Sequence, residues 1–198
     1  MARKNNKIPI AIMLLGTPGT GKTTISSHII KTLDKKNKKN IFINFDALRK
    51  TLVPQGVSAF THDDNVRKMI YEKAAKEFSN YLNKGFNIVI DCGLTREEIR
   101  KQLKSAIPQL KICHIHCPLL ISIIRETKRS LLGEKHENGN YLYLRAMFSL
   151  LNPSKKERIA IPPFTHTFEY PECADLHISS FLKKPSDVAR EIVEKFCV

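Results

Sequence analysis

The stretch "LLGTPGTGKTTIS", residues 14–26, decides the fold. An apolar run, "IPIAIM", enters it, and a helical pattern, "HIIKTL", leaves it. Its centre fits G-x-x-x-x-G-K-[ST], with Gly16, Gly21, Lys22 and Thr23 in the fixed places. A strand before such a motif and a helix after it is the context a phosphate-binding loop needs. Gly16, Gly19 and Gly21 let the backbone turn its N–H groups inward around phosphate oxygens. The helix that follows adds the positive end of its dipole. Thr17, Pro18, Thr20 and Thr24 complete the candidate cradle. Lys22 is expected to bridge the β- and γ-phosphates of a nucleotide, and Thr23 to ligate Mg²⁺.

Working outward, short apolar runs alternate with helical patterns. Strands are predicted at 8–15, 40–45, 86–92, 111–117 and 175–179, and several are apolar almost throughout. That pattern suits strands buried on both faces. Helices are predicted at about 22–36, 62–84, 95–107, 118–130 and 185–197. Thr95 with Glu98 reads as a capping box, Pro185 as a helix start and Ser186 as a candidate cap of that helix. Alternating β and α elements imply a parallel sheet covered on both sides. From about 129 to 172 no strand appears, and the segment is basic and broken by Gly, Asn and Pro. Loops this long are usually functional or disordered. Within it, Tyr141, Leu142, Leu144, Met147, Phe148 and Leu151 have helical spacing.

Composition excludes several classes. The 198 residues, 42% hydrophobic, suffice for one domain with its own core. No run is apolar enough to span a bilayer, so no membrane partner is expected. The basic N-terminus ahead of a short apolar run imitates a secretory signal. That run leads straight into the glycine loop, and a cytoplasmic location is expected. Five cysteines without a C-x-x-C pair argue against a disulfide scaffold. A net charge of +14 suits phosphorylated or polyanionic partners. The lysine runs lack interleaved aromatics, so nucleic acid is not the expected partner.

Two acids stand at strand ends, where ligands of open α/β sheets bind. Asp46 follows "NIFINF" and Asp91 follows "FNIVI". Either fits as the base that takes an acceptor hydroxyl's proton, or as a carboxylate holding the metal through water. Either equally fits as a helix N-cap. Arg49, Asn65, Arg67, Arg125, Lys128 and Arg129 are candidate grips for anions. An arginine lid over a transferring phosphoryl group stabilises its charge. "CHIHC", residues 113–117, invites a metal reading, but in a strand its cysteines and histidines point to opposite faces. His136 and His166 show no pattern beyond their place in the basic segment.

With these residues in view, the chain resembles the adenylylsulfate (APS) kinase family. "GTPGTGKTTIS" resembles that family's phosphate loop, and "NFDALR", 44–49, its D-G-D-N-[LIV]-R segment. "NVR", 65–67, is similar to E-N-[IV]-R, and "CPLLISIIRETK", 117–128, to C-P-L-E-V-C-x-x-R-D-x-K. "IPPFTHTFEYPECADLHIS" is similar to the tail carrying [FY]-E-x-P-E. The resemblance implies a three-layer αβα P-loop NTPase fold. Its five-stranded parallel sheet would have the order 2-3-1-4-5, with a helical lid. One domain would fill 1–198, with the lid and substrate segment at about 125–172. It implies transfer of the γ-phosphoryl group of ATP, with Mg²⁺, to the 3′-hydroxyl of APS, giving PAPS. Asp46 would then be base or metal-side acid through water, with Lys22 and Arg125 also catalytic. Arg49, Asn65, Arg67 and Asp91 would bind the nucleotide-like acceptor, and Arg125 and Lys128 would cover ATP.

The chain departs from the pattern at Asn44, Phe45 and Ala47, at Glu126 where Asp is usual, and at Arg129 where Gly is usual. Another acceptor hydroxyl, on a sugar acid, an antibiotic or a polynucleotide 5′ end, is the alternative. A nucleotide-binding regulatory protein is a further one. The oligomeric state is open, a homodimer included.

Overall fold

The computed structural model describes residues 8–36, 38–59, 63–93, 96–133, 140–151, 164 and 168–197. Five strands form one sheet: β1 Ala11–Leu15, β2 Asn40–Asn44, β3 Asn87–Cys92, β4 Leu110–His116 and β5 Leu176–Ser179. The spatial order is β2-β3-β1-β4-β5 and every pairing is parallel. Each strand returns through at least one helix. These are α1 Lys22–Asp34, α2 Phe45–Leu52, α3 Asp64–Asn83, α4 Glu97–Ala106, α5 Leu119–Leu131, α6 Leu142–Leu151 and α7 Pro185–Phe196.

Side-chain alternation along the strands builds two cores. Ala11, Met13 and Leu15 face one side with Ile88, Ile90 and Ile112, under Phe45, Tyr71, Phe78 and Leu103. Ile12, Leu14, Val89, Cys113 and Ile115 face the other, under Ile25 and Ile29 of α1 and Val188 and Ile192 of α7. Both faces of β1 and β3 are therefore covered, as their unbroken apolar sequence requires. The expected fold class is the observed one.

Boundaries differ from the sequence reading for local reasons. β1 starts at Ala11 rather than at residue 8. β2 ends at Asn44, because the Asn44 side chain accepts from the Ala47 N–H at 3.1 Å and starts α2 one residue on. Phe45 thus leaves the strand and enters the core, stacked on Tyr71 at 5.7 Å between ring centroids. α3 is capped by Asp63, whose Oδ1 accepts from the N–H groups of Asn65 and Val66. The N-cap of α4 is Arg96, whose side chain makes no capping bond, and Thr95 lies outside the described residues. α7 is preceded by Lys184 as N-cap, so Pro185 is at its start and Ser186 lies inside it.

The late segment contains α6, and residues 134–139, 152–163 and 165–167 lie outside the described ones, His136 and His166 among them. The face of α6 that packs is Leu142, Tyr143 and Ala146, with Phe164 and Ile123 beside them. Of the six residues with helical spacing, Met147, Phe148 and Leu151 are exposed instead. The chain then re-enters the fold at 168–175, pinned by the fully buried Arg100. Its guanidinium donates to Glu97 Oε2 at 2.8 Å and to the carbonyl of Glu169 at 2.7 Å, beside the Phe168 ring. Among the described residues no helix is long and apolar enough to cross a membrane.

Candidate active site

Strand register brings the chemistry to the carboxyl end of the sheet. Leu14 of β1 and Asn44 of β2 both align with Asp91 of β3. The glycine loop starts two residues past Leu14, and Asp46 lies two residues past Asn44. Loop, Asp46 and Asp91 therefore share the carboxyl end of three adjacent strands, where open α/β sheets bind ligands.

The loop is folded as a cradle. Gly19 has φ +77°, and a Cβ there would lie 2.1 Å from the carbonyl oxygen of Ser122 in α5. A Cβ on Gly16 would lie 2.4 Å from the carbonyl oxygen of Ile115 in β4. Glycine is thus required by close approach of other backbone. Gly21, in the left-handed region, is the N-cap of α1 and offers no side-chain acceptor to the first turn. The first-turn N–H groups are left for a ligand to satisfy. Thr20, buried, donates to the carbonyl of Thr17 at 2.9 Å, and Lys22 Nζ donates to the same oxygen at 3.0 Å. The ammonium therefore lies over the loop it is expected to serve. Pro18 contributes its carbonyl, which accepts from the Tyr143 hydroxyl at 2.7 Å. Thr24 is exposed on the first turn of α1.

Thr23 donates its hydroxyl to Asp91 Oδ2. Asp91 is 9% exposed and reaches the loop across 68 residues of sequence. The carboxylate on the Thr23 hydroxyl is thus Asp91, while Asp46 is paired with Arg49 at 3.9 Å. A Thr hydroxyl beside a carboxylate is an oxygen donor set of the kind Mg²⁺ takes. These residues fit that ion.

A second group surrounds Tyr71. Arg49, Cys92, Arg67 and Asp46 all lie near enough to act on its phenol. Burial raises the Tyr71 phenol above its ordinary value, against the downward pull of the two arginines. Three expected site residues, Asp46, Arg49 and Arg67, therefore converge. Asn65 is exposed at the start of α3, and its backbone N–H is taken by Asp63.

Arg125 lies elsewhere. Its guanidinium contacts Cys117 Sγ at 3.6 Å, Ser180 Oγ at 3.4 Å and the Ser180 carbonyl at 3.3 Å, beyond the ends of β4 and β5. Lys128 is exposed. Glu126, one of the departures, is buried: Oε1 accepts from Ser130 Oγ at 3.1 Å and from the Leu142 N–H at 3.0 Å. It ties α5 to the start of α6. The histidines and cysteines of "CHIHC" separate as expected. Cys113 and Ile115 enter the α1–α7 core, and His114 stacks on Phe168 on the opposite face.

Sequence reasoning missed Tyr71, Tyr143 and Arg100, and it noted Glu126 only as a departure from the family pattern. Tyr143 stood inside the helically spaced run, and its polar tip was the available signal.

The family described as "AAA domain" matches residues 12–147. No curated protein sequence matches the chain. Among solved structures, the APS kinase of Mycobacterium tuberculosis in complex with AMPPNP and APS is similar, with a TM-score of 0.70 and 13% identity over 94% of this chain and 96% of that one. A gluconokinase from Sinorhizobium meliloti 1021 gives 0.57 and 18% identity, over 96% of this chain and 93% of that one. A shikimate kinase from Acinetobacter baumannii in complex with shikimate gives 0.53 and 17%, over 94% and 92%. At these identities the likeness is one of fold, that of P-loop small-molecule kinases.

Proposed function

The chain belongs to the AAA-domain family, and on that premise we propose that it is an ATP-dependent phosphotransferase acting on a hydroxyl, with the 3′-hydroxyl of APS as acceptor. The observation that carries this reading is the Thr23 hydroxyl on Asp91, with Lys22 over the same loop. It joins a phosphate cradle to a buried carboxylate at the point where a triphosphate would end.

The roles follow from position. Backbone N–H groups of 16–24, Pro18 having none, and the Lys22 ammonium hold the phosphates of ATP. Thr23 and Asp91 would hold Mg²⁺, which when bound neutralises charge on the β- and γ-phosphates. Asp46 accepts the proton of the acceptor hydroxyl. That oxygen forms a bond to the γ-phosphorus as the bond to the β-bridging oxygen breaks, and ADP leaves. Arg49 and Arg67 orient the anionic acceptor around Tyr71. Arg125 serves the nucleotide side from its seat on Ser180 and Cys117, with Lys128 at the rim. α5 and α6 form the lid, docked on the loop through Ser122 and Tyr143, and exclude water from the transfer.

The motifs at 44–49, 65–67 and 117–128 support APS, as does the likeness to a structure that holds it. Two departures do not weigh against it: Asn44 caps α2 and Phe45 fills the core. The alternative is another small hydroxyl acceptor, for which the likeness to gluconokinase and shikimate kinase speaks. A cytoplasmic enzyme of one domain fits both. The test is coupled ADP release with APS, gluconate and a 5′-hydroxyl oligonucleotide in turn. Stimulation by APS alone is expected. Stimulation by another acceptor and not by APS moves the function to that acceptor, and salt-sensitive stimulation by the oligonucleotide points to a polynucleotide.

A further inference from the structure

The phosphate loop is held from outside at two neighbouring residues. Ser122 of α5 lies against Gly19, whose missing side chain makes room for the Ser122 carbonyl oxygen. Tyr143 of α6, fully buried, donates its hydroxyl to the Pro18 carbonyl at 2.7 Å. The Pro18 carbonyl and the Gly19 N–H belong to one peptide unit. Such a unit is planar and trans, so the two groups point in opposite directions. A hydroxyl that fixes the carbonyl therefore aims the Gly19 N–H away from α6. In the function proposed above, that N–H is one of those offered to phosphate oxygens.

Glu126 governs where Tyr143 stands. It lies one turn after Ser122 on α5 and is 1% exposed. α6 has no acidic residue in its own first turn, and Glu126 supplies one from another helix. Its Oε1 accepts from the Leu142 N–H at 3.0 Å and from Ser130 Oγ at 3.1 Å. Ser130 Oγ accepts in turn from the Tyr141 N–H at 2.9 Å. One carboxyl and one hydroxyl thus satisfy two backbone donors at the start of α6, where no intrahelical carbonyl is available. Tyr141 has φ +55°, a left-handed conformation that side chains rarely adopt, and it occurs where these bonds close. Leu142 immediately precedes Tyr143, so the carboxyl that fixes the one places the other.

We propose that Glu126 is a positioning residue for phosphoryl transfer. Through α6 and Tyr143 it sets the Pro18–Gly19 peptide, and with it the N–H that Gly19 offers to the nucleotide. Its length is what counts. Aspartate, the usual residue of the family pattern at this place, is shorter by one carbon–carbon bond, about 1.5 Å. Contacts of 3.0 and 3.1 Å do not survive such a gap. Glutamine has the same reach and keeps an oxygen that accepts both bonds. This rests on the phosphate-loop reading and extends it to a residue that acts through another.

A double-mutant cycle on the full chain tests it, read as the affinity for Mg²⁺–AMPPNP well below the melting temperature of every variant. Tyr143→Phe is expected to weaken binding about fivefold, the worth of one neutral hydrogen bond. Glu126→Asp is expected to weaken it as much, and the double variant no more than either alone, because both break one chain of contacts. Glu126→Gln is expected to bind within about twofold of wild type. Ser130→Ala, which cuts the Tyr141 link, takes the place of Glu126→Asp if that variant does not fold. Wild-type affinity in Tyr143→Phe or in Glu126→Asp overturns the proposal, and lower melting temperatures alongside would make Glu126 a support of the fold alone. An additive loss of about twenty-five-fold in the double variant also overturns it, because Glu126 would then act by another route. So does a Glu126→Gln variant as weak as Glu126→Asp, because charge and not reach would then matter. A wild type that binds no AMPPNP removes the phosphate-loop reading. The same cycle read in melting temperature then judges the contact chain by itself, and additive losses there overturn it.

Discussion

The Thr23 hydroxyl donates to Asp91 Oδ2, and this bond joins the first turn of α1 to the end of β3. It ties a residue of the glycine loop to one that no local pattern distinguishes from Asp46. The division of labour between the two acids follows from it. On the function proposed above, Asp91 would serve the loop side and Asp46, paired with Arg49, the acceptor side.

Asp91→Asn keeps the shape but removes the charge beside Thr23. Phosphoryl transfer is expected to fall at least about a hundredfold, in the range seen when electrostatic groups are removed from active sites. Metal-free nucleotide affinity should change only a few-fold. Titration of Mg²⁺ against rate checks this. Equal loss of nucleotide affinity with and without Mg²⁺ would make Asp91 a support of the loop alone.

Gly19→Ala tests the contact between loop and lid. The new methyl would meet the Ser122 carbonyl at 2.1 Å, at a φ of +77°. Left-handed strain alone costs about 1–2 kcal/mol, and overpacking adds about 1–3 kcal/mol. Thermal denaturation should show the loss, with weaker nucleotide binding alongside. A variant as stable as wild type would mean that α5 does not rest on the loop.

Tyr143→Phe removes one hydrogen bond, from the phenol to the Pro18 carbonyl. Burial pushes the Tyr143 phenol up to about 12, so it stays a donor through the neutral range. The expected cost is about 1 kcal/mol in denaturant unfolding, plus any penalty for a dry carbonyl. No change would show that water replaces the phenol freely.

His114 gives the fold a pH dependence. Burial, with His177 and His116 adding to it, lowers this imidazole from 6.5 to about 4. Between those values the unfolded chain binds a proton that the folded chain refuses. Stability from this group is therefore full above pH 6.5 and is lost as pH falls toward 4. Melting temperature should drop over that window in wild type and drop less in His114→Gln. An identical slope in both would place the acid sensitivity elsewhere.

Much of this molecule was legible from residues alone. The glycine loop needs a strand before it and a helix after it, and apolar runs without alternation need cover on both faces. Those two facts carry the sheet. The end of β2 was not legible, because "NIFINF" is β-branched and aromatic up to Phe45, and only the Asn44 side chain turns the chain into α2. Glu126 and Arg100 were hidden for a similar reason. Each looks like a solvated charge on its own helix, and each is buried by segments 16 and 69 residues further on. The acids at 46 and 91 were found as a pair. Their separate partners depend on register and on contacts 68 residues apart, which no spacing records.

The central claim is that this loop passes a phosphoryl group from ATP to the APS hydroxyl. Its most direct measurement is the mass of the product formed from APS, ATP and Mg²⁺ by wild type and by Lys22→Ala. The account predicts a product heavier by one phosphoryl group, in step with ADP, for wild type, and none for a folded Lys22→Ala. ADP formed with APS recovered unchanged, or equal product from Lys22→Ala, would contradict it.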